Sequence, residues 1–204
     1  VIICGLGSSN GARTGASPLA EMMENLTKKP NISVITCMGN EANNKCHYKG
    51  TVMSALVPDV MEINVDGTGK GFTMEIWADS LDILSVSIES PSGEYVPRIP
   101  ARMGASMEYT FLYEGSTVTV DYQITENVAG MEVIFVRLKT PVEGTWKFYI
   151  YSLTNIRGSY NAWLPLKQFS GQDIYFLKSD PDTTLTVPAA ADGVISVGAY
   201  NHYT

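Results

Sequence analysis

Residues 34–44 read VITCMGNEANN. A β-branched run reaches Cys37 and Met38 and breaks at Gly39, Asn40 and Glu41. A glycine at a strand tip lets backbone approach a bound ligand closely. An asparagine amide beside it is a neutral donor, suited to a carbonyl oxygen that becomes negative during acyl transfer. A second glycine-bearing tip, Gly5-Leu6-Gly7, ends the run VIICGLG. Such a tip can pair an extended peptide through its backbone and wall one side of a side-chain pocket. The same asparagine can instead close a turn with its own side chain. Spacing alone favours the turn.

The other reactive residue types form no comparable arrangement. The cysteines are Cys4, Cys37 and Cys46, an odd number that gives no disulfide framework. The two in apolar strands read as small buried hydrophobes. Cys46-His47 has no partner residues at a metal-ligand spacing, so neither a metal nor another cofactor is expected. His47 and His202, the two histidines, read as surface or structural residues. Asp59, Asp66 and Asp82 are carboxylates of the kind that bind calcium, but no loop of alternating oxygen ligands holds them, and they read as solvated surface.

The elements that position the two tips follow from pattern. Ser17 and Pro18 make a helix start, a capping hydroxyl followed by proline at the first helical position. Leu19, Met22, Met23 and Leu26 then fall on one face, and Pro30 stops the helix. A strand, a crossover helix and the strand ISVITCM form a βαβ unit and hence a parallel sheet. In such sheets ligands meet the carboxyl ends of the strands, where both glycine tips lie. The last stretch, TTLTVPAAADGVISVGAYN, returns to this style with the buried strand GVISVGAY.

From about residue 52 the pattern changes to period-two segments: GFTMEIWA, LSVSIES, MEYTFLY, TVTVDYQI, MEVIFVRLK and GTWKFYIYSL. Turns at Asp66-Gly67, Pro91-Ser92-Gly93, Glu114-Gly115 and Glu143-Gly144 separate them. Short strands at this spacing predict an antiparallel β-sandwich or jelly roll. The expected fold class is therefore α/β plus all-β. A parallel α/β core, residues 1–51 and 184–204, is interrupted by an inserted sandwich, residues 52–183. Tyr149, Tyr151, Tyr160 and Trp163 are candidates for carbohydrate or protein binding on that insert, with core packing as the other reading.

Of the 204 residues, 45% are hydrophobic and 17% charged, and the net charge is −7. With 14 basic residues and no basic run beyond Lys28-Lys29, a nucleic-acid partner is not expected. No apolar stretch approaches the roughly 20 residues of a membrane span. The chain opens on Val1 in mid-strand, as a piece of a longer or processed protein would.

VIICGLGSSNGARTGASPLAEMMENL followed by ISVITCMGNEANN resembles the subtilisin-like serine peptidases (subtilases), where an SLG segment, a helix and a VVAAGNEG strand occur in this order. The tail TLTVPAAADGVISVGAYN resembles a later segment of that family. CHYKG followed by a long β-rich insert resembles the clostridial and Bacteroides-type subtilases, which include relatives of the Csp spore-germination proteases. SVSIESPSGE and EGTWKFYIYS resemble strands of jelly-roll modules such as the P-domain of proprotein convertases.

The resemblance implies a serine endopeptidase in which Asn40 is the side-chain donor of the oxyanion hole. Gly5, Leu6 and Gly7 would pair with substrate and line its primary specificity pocket. Cys37, Met38 and Gly39 would form the opposite wall. Gly5 stands where the family has serine, and Cys37 and Met38 replace small alanines. The family's DTG, HGT and GTSMAAP motifs are absent, so the catalytic Asp, His and Ser are not in this chain. The chain alone is therefore expected to be inactive, with a peptide or protein substrate and the remainder of the subtilase domain as partners of the intact protein. An extracellular, cell-envelope or spore-associated bacterial location follows from the resemblance. The alternatives are a pseudoprotease, or a jelly-roll binding module for protein or carbohydrate.

Overall fold

The computed structural model describes residues 1–67, 69–78, 82–102, 104–124, 130–154, 156–170 and 173–200. It divides into two compact units, residues 1–44 with 181–204, and residues 45–180. His202 lies outside the described residues.

The first unit contains β1 (Ile2–Cys4), α1 (Pro18–Thr27) and β2 (Val34–Cys37), and, from the far end of the chain, a strand at Ile195–Val197. These three strands form one parallel sheet with β2 in the centre. Ile3 lies opposite Ile35, and Ile195 and Val197 lie opposite Ile35 and Cys37. The two ends of the chain therefore share a sheet. Helix α1 starts where the sequence predicts: the Ser17 hydroxyl accepts the Ala20 N–H at 3.2 Å, and Pro18 needs no partner for a missing donor. Ala20 and Met23 are buried with Val34 and Ala191, and Cys4, Leu26, Ile32 and Val194 pack around them.

The apolar face of α1 differs from expectation. Met23 and Leu26 do face the sheet, but Leu19 is 40% exposed and Met22 53%. The line that meets the sheet runs through Ala20 and Met23, because the small Ala20 allows close approach to Val34.

The second unit contains β3 (His47–Thr51), β4 (Asp59–Asp66), β5 (Gly71–Ala78), β6 (Leu84–Glu89), β7 (Tyr95–Ile99), β8 (Ser106–Thr110), β9 (Thr117–Ile124), β10 (Glu132–Lys139), β11 (Gly144–Ser152), β12 (Ser159–Trp163), α2 (Lys167–Ser170) and β13 (Asp173–Phe176), which leaves the C-terminal strand as β14. One sheet has the order β3-β12-β5-β10-β9-β8 and the other β13-β4-β11-β6-β7, all pairs antiparallel. Residues 47–51, expected within the first segment, pair with β12 in the six-stranded sheet.

Alternation puts one side of each strand into a shared core. Phe72, Met74 and Ile76 enter from β5, and Trp146, Phe148 and Ile150 from β11. The Trp146 ring meets Phe111 edge-on at 5.1 Å, and its N–H donates to the Val142 carbonyl at 3.1 Å.

Candidate functional site

The site residues predicted from sequence converge at the carboxyl ends of the parallel strands. Beyond β2 the backbone continues in register, with the Met38 N–H donating to the Val197 carbonyl at 3.0 Å. Gly39 then takes a φ of 87°, a left-handed turn that a side chain would oppose. The chain swings out, and Asn40 stands exposed.

Asn40 does not close the turn that follows. That work falls to Asn44, whose side-chain amide donates to the Glu41 carboxylate at 3.0 Å and to the Asn40 carbonyl at 3.4 Å. The Asn44 N–H also donates to the Glu41 carbonyl at 3.0 Å. The Asn40 side chain makes no hydrogen bond among the described residues, and it borders two cavities.

One cavity, of about 380 Å³, is lined by Gly5, Cys37, Gly39, Asn40, Val197, Gly198 and Ala199. The other, also about 380 Å³, takes Met38, Gly39 and Asn40 with the turn 41–43, Thr184, Leu185, Gly198 and Ala199. Gly5, Cys37, Met38, Gly39 and Asn40 are thus brought together. Leu6, 80% exposed, and Gly7 line neither cavity.

Gly7 has a different neighbour. Thr186 sits between the two glycine tips: its N–H donates to the Met38 carbonyl at 3.0 Å and its hydroxyl to the Cys37 carbonyl at 3.3 Å. A Cβ on Gly7 would lie 2.2 Å from the Thr186 hydroxyl, and one on Gly39 2.5 Å from its methyl. Glycine is required at both tips for Thr186 to lie between them.

Next to it, Ser8 and Val187 exchange backbone hydrogen bonds of 3.0 and 2.9 Å. The Arg13 guanidinium gathers the carbonyls of Ser8 at 3.2 Å, Ser9 at 2.8 Å and Leu185. A charged donor on three carbonyls fixes the rim from which Leu185 faces the second cavity.

Sequence reasoning missed Thr186, Arg13, Leu185, Gly198 and Ala199. The segment TTLTVPAA carries a proline and small residues but no period that marks a ligand-facing position. Only the 149-residue return of the chain places Thr186 against Cys37.

The remaining candidates fall elsewhere. His47 is fully buried in the second unit, stacked on Trp163 at 5.0 Å. Its ring nitrogens sit 3.1 Å from the Asp180 carbonyl and 3.0 Å from the Asn161 side-chain oxygen. All three cysteines are free; Cys46 is buried, whereas Cys4 and Cys37 are only half-buried. Among the described residues, no three His, Cys, Asp or Glu side chains form a group that could hold a metal ion. Asp59 and Asp82 are not solvated surface. Asp59 accepts the hydroxyls of Tyr48 at 3.0 Å and Tyr160 at 2.7 Å. Asp82 is 1% exposed because five donors converge on it. Tyr160 and Trp163, proposed for ligand binding, are 1% and 5% exposed and pack inside. Tyr149 and Tyr151 are half-buried on the outer side of their sheet, beside Glu89 and Arg98 respectively.

No family model matches the chain, and no curated protein matches it. Among solved structures, that of the Clostridium perfringens CspB protease matches 98% of the chain with a TM-score of 0.85 at 24% identity. The chain has the fold of the part of that structure it matches. The chain spans 41% of the length of that protein. None of the described helices is long and apolar enough to cross a membrane.

Proposed function

We propose that this chain is part of a subtilisin-like serine endopeptidase and supplies its oxyanion donor and substrate-binding strands. The observation that carries the reading is the Asn40 amide. It stands at the end of a parallel strand, borders two cavities and leaves the local turn to Asn44. A side chain committed to turn closure would be unable to serve a substrate. The protease fold of the CspB structure and the resemblance of the two tips to the family's motifs support the same reading.

In this account an extended peptide pairs with the backbone of Gly5, Leu6 and Gly7. A side chain of the substrate enters between the tips, with Cys37, Met38 and Gly39 as the far wall. A serine attacks the peptide carbonyl, and the oxygen that becomes negative receives a hydrogen bond from the Asn40 amide. That bond is stronger in the tetrahedral state than with the neutral carbonyl, which is how it speeds the reaction. The serine, the histidine that takes its proton and the aspartate that orients the histidine come from parts of the protein outside residues 1–204. Residues 1–204 alone are inactive. The sandwich is an inserted jelly roll.

The uncovered face of the parallel sheet also supports completion by further chain. Alternation turns Ile3, Ile35, Cys37, Ile195 and Val197 away from α1, and Ile3, Ile195 and Val197 are 76%, 54% and 55% exposed. Purely parallel sheets are covered on both faces.

The test is peptide-ester hydrolysis by the protein carrying this chain with its flanking segments. Asn40→Ala is expected to lower kcat about a hundred- to a thousandfold with KM little changed, the loss known for subtilisin's own oxyanion asparagine. An unchanged kcat excludes the role. No hydrolysis by either protein moves the chain to the pseudoprotease alternative.

A further inference from the structure

Glu132, at the start of β10, is 2% exposed and plays no part in the candidate site. One carboxyl oxygen accepts the Leu84 N–H at 2.8 Å. The other is buried and has no hydrogen-bond partner among the described residues. Nearby Asp82 is 1% exposed, and its situation is the reverse. Its two oxygens accept N–H groups of Ile156 at 2.7 Å, Arg157 at 3.0 Å and Gly158 at 2.7 Å, with the Ser152 and Thr154 hydroxyls at 3.4 Å.

Two buried carboxylates thus hold one end of the sandwich together. Asp82 has enough donors to remain charged: burial pushes its carboxyl up, and the three N–H groups with Thr154 outweigh this and hold it below its usual range. Glu132 has one donor for two oxygens and a negative neighbour. A buried anion so poorly solvated is better neutralised than kept. The N–H groups of Ile156, Arg157 and Gly158 are taken up by Asp82, so the cheapest neutraliser is a proton on the unpartnered oxygen.

We propose that Glu132 is a proton-dependent latch, closed when protonated, that ties Leu84 at the start of β6 to the start of β10, beside the Ile156, Arg157 and Gly158 N–H groups held by Asp82. The geometry makes the device directional. Protonated Glu132 keeps the Leu84 hydrogen bond through its other oxygen. Ionised Glu132 retains that bond but adds a second negative charge beside Asp82. Asp82 faces it from the residues just before β6 and Tyr122 from β9, whereas Arg157 contributes its backbone N–H to Asp82. Asp79 and Glu126, in the flanking segments, lie outside the described residues.

Burial, offset in part by the Leu84 N–H and reinforced by Asp82, pushes the Glu132 carboxyl up to about 7. The folded chain then holds a proton that the opened chain has already released. Closure therefore weakens as pH rises from the ordinary carboxylate range through neutrality, and it levels off above.

Amide hydrogen exchange of the full chain, corrected for the solvent's own pH dependence, reads this at Leu84, Ile156 and Gly158. Protection at these amides is expected to fall about tenfold between about pH 6 and about pH 8.5. In Glu132→Gln, which keeps the Leu84 acceptor, it is expected to stay flat. The wild-type Glu132 side-chain carboxyl carbon, followed by NMR, gives a readout that needs no variant, and its midpoint is expected near neutrality. A midpoint with the ordinary carboxylates at about 4.3 overturns the latch. So does the same fall in Glu132→Gln.

Discussion

At the scale of single residues, what separates Asn40 from the asparagines around it is which of them the backbone employs. Asn44 closes the 41–44 turn, so the exposed amide of Asn40 is available to a ligand. Thr186 fills the gap between the two tips, because Gly7 and Gly39 leave it room that no other residue would. Gly7→Ala is expected to destabilise the chain by about 1–3 kcal/mol, the usual cost of overpacking. In a Thr186→Gly background most of that cost should vanish, which a double-mutant cycle by chemical denaturation measures. Equal costs in both backgrounds would mean that Thr186 does not occupy the gap.

The tips themselves were legible in the sequence, since a glycine that breaks a β-branched run marks a strand end with a reason for being bare. Thr186 and Arg13 were not. Their contacts are made to carbonyls, and carbonyls carry no sequence signature.

At the scale of elements, strands were read well where period two is strict. GFTMEIWA and TVTVDYQI coincide with β5 and β9, because apolar side chains at every second position enter the shared core from one face. The start of α1 was legible from Ser17 and Pro18, and Ser17→Ala should cost about 1 kcal/mol in thermal or denaturant unfolding. The face of α1 was misread because counting large apolar residues favoured Leu19 and Met22, whereas packing selected the smaller Ala20. The uncovered face of the β1-β2-β14 sheet yields a further expectation. Val197→Thr should change the stability of residues 1–204 by less than about 0.5 kcal/mol, as at other exposed positions. In the longer protein the same change should cost more than about 1 kcal/mol, because there it removes a buried methyl contact. Equal small effects in both would mean that nothing covers this face.

At the scale of the whole molecule, the mostly β composition was legible from the recurring turn signals, and the clostridial protease fold agrees with it. What the sequence hid was the polar interior. Asp82 and Glu132 look like surface carboxylates until the backbone donors of a distant turn are brought to one of them and not to the other. The sandwich has its own core with Trp146 at its centre, so residues 45–180 expressed alone are expected to unfold cooperatively on heating. Trp146→Ala should cost that unit about 3–5 kcal/mol.

The parallel sheet depends instead on strands from both ends of the chain, and its role rests on Asn40. The most direct measurement is therefore kcat for peptide-ester hydrolysis by the protein with its flanking segments, compared between wild type and Asn40→Ala. A fall of about a hundred- to a thousandfold at nearly constant KM is the predicted result. Equal turnover in an active enzyme would show that Asn40 does not stabilise the oxyanion and would contradict the account.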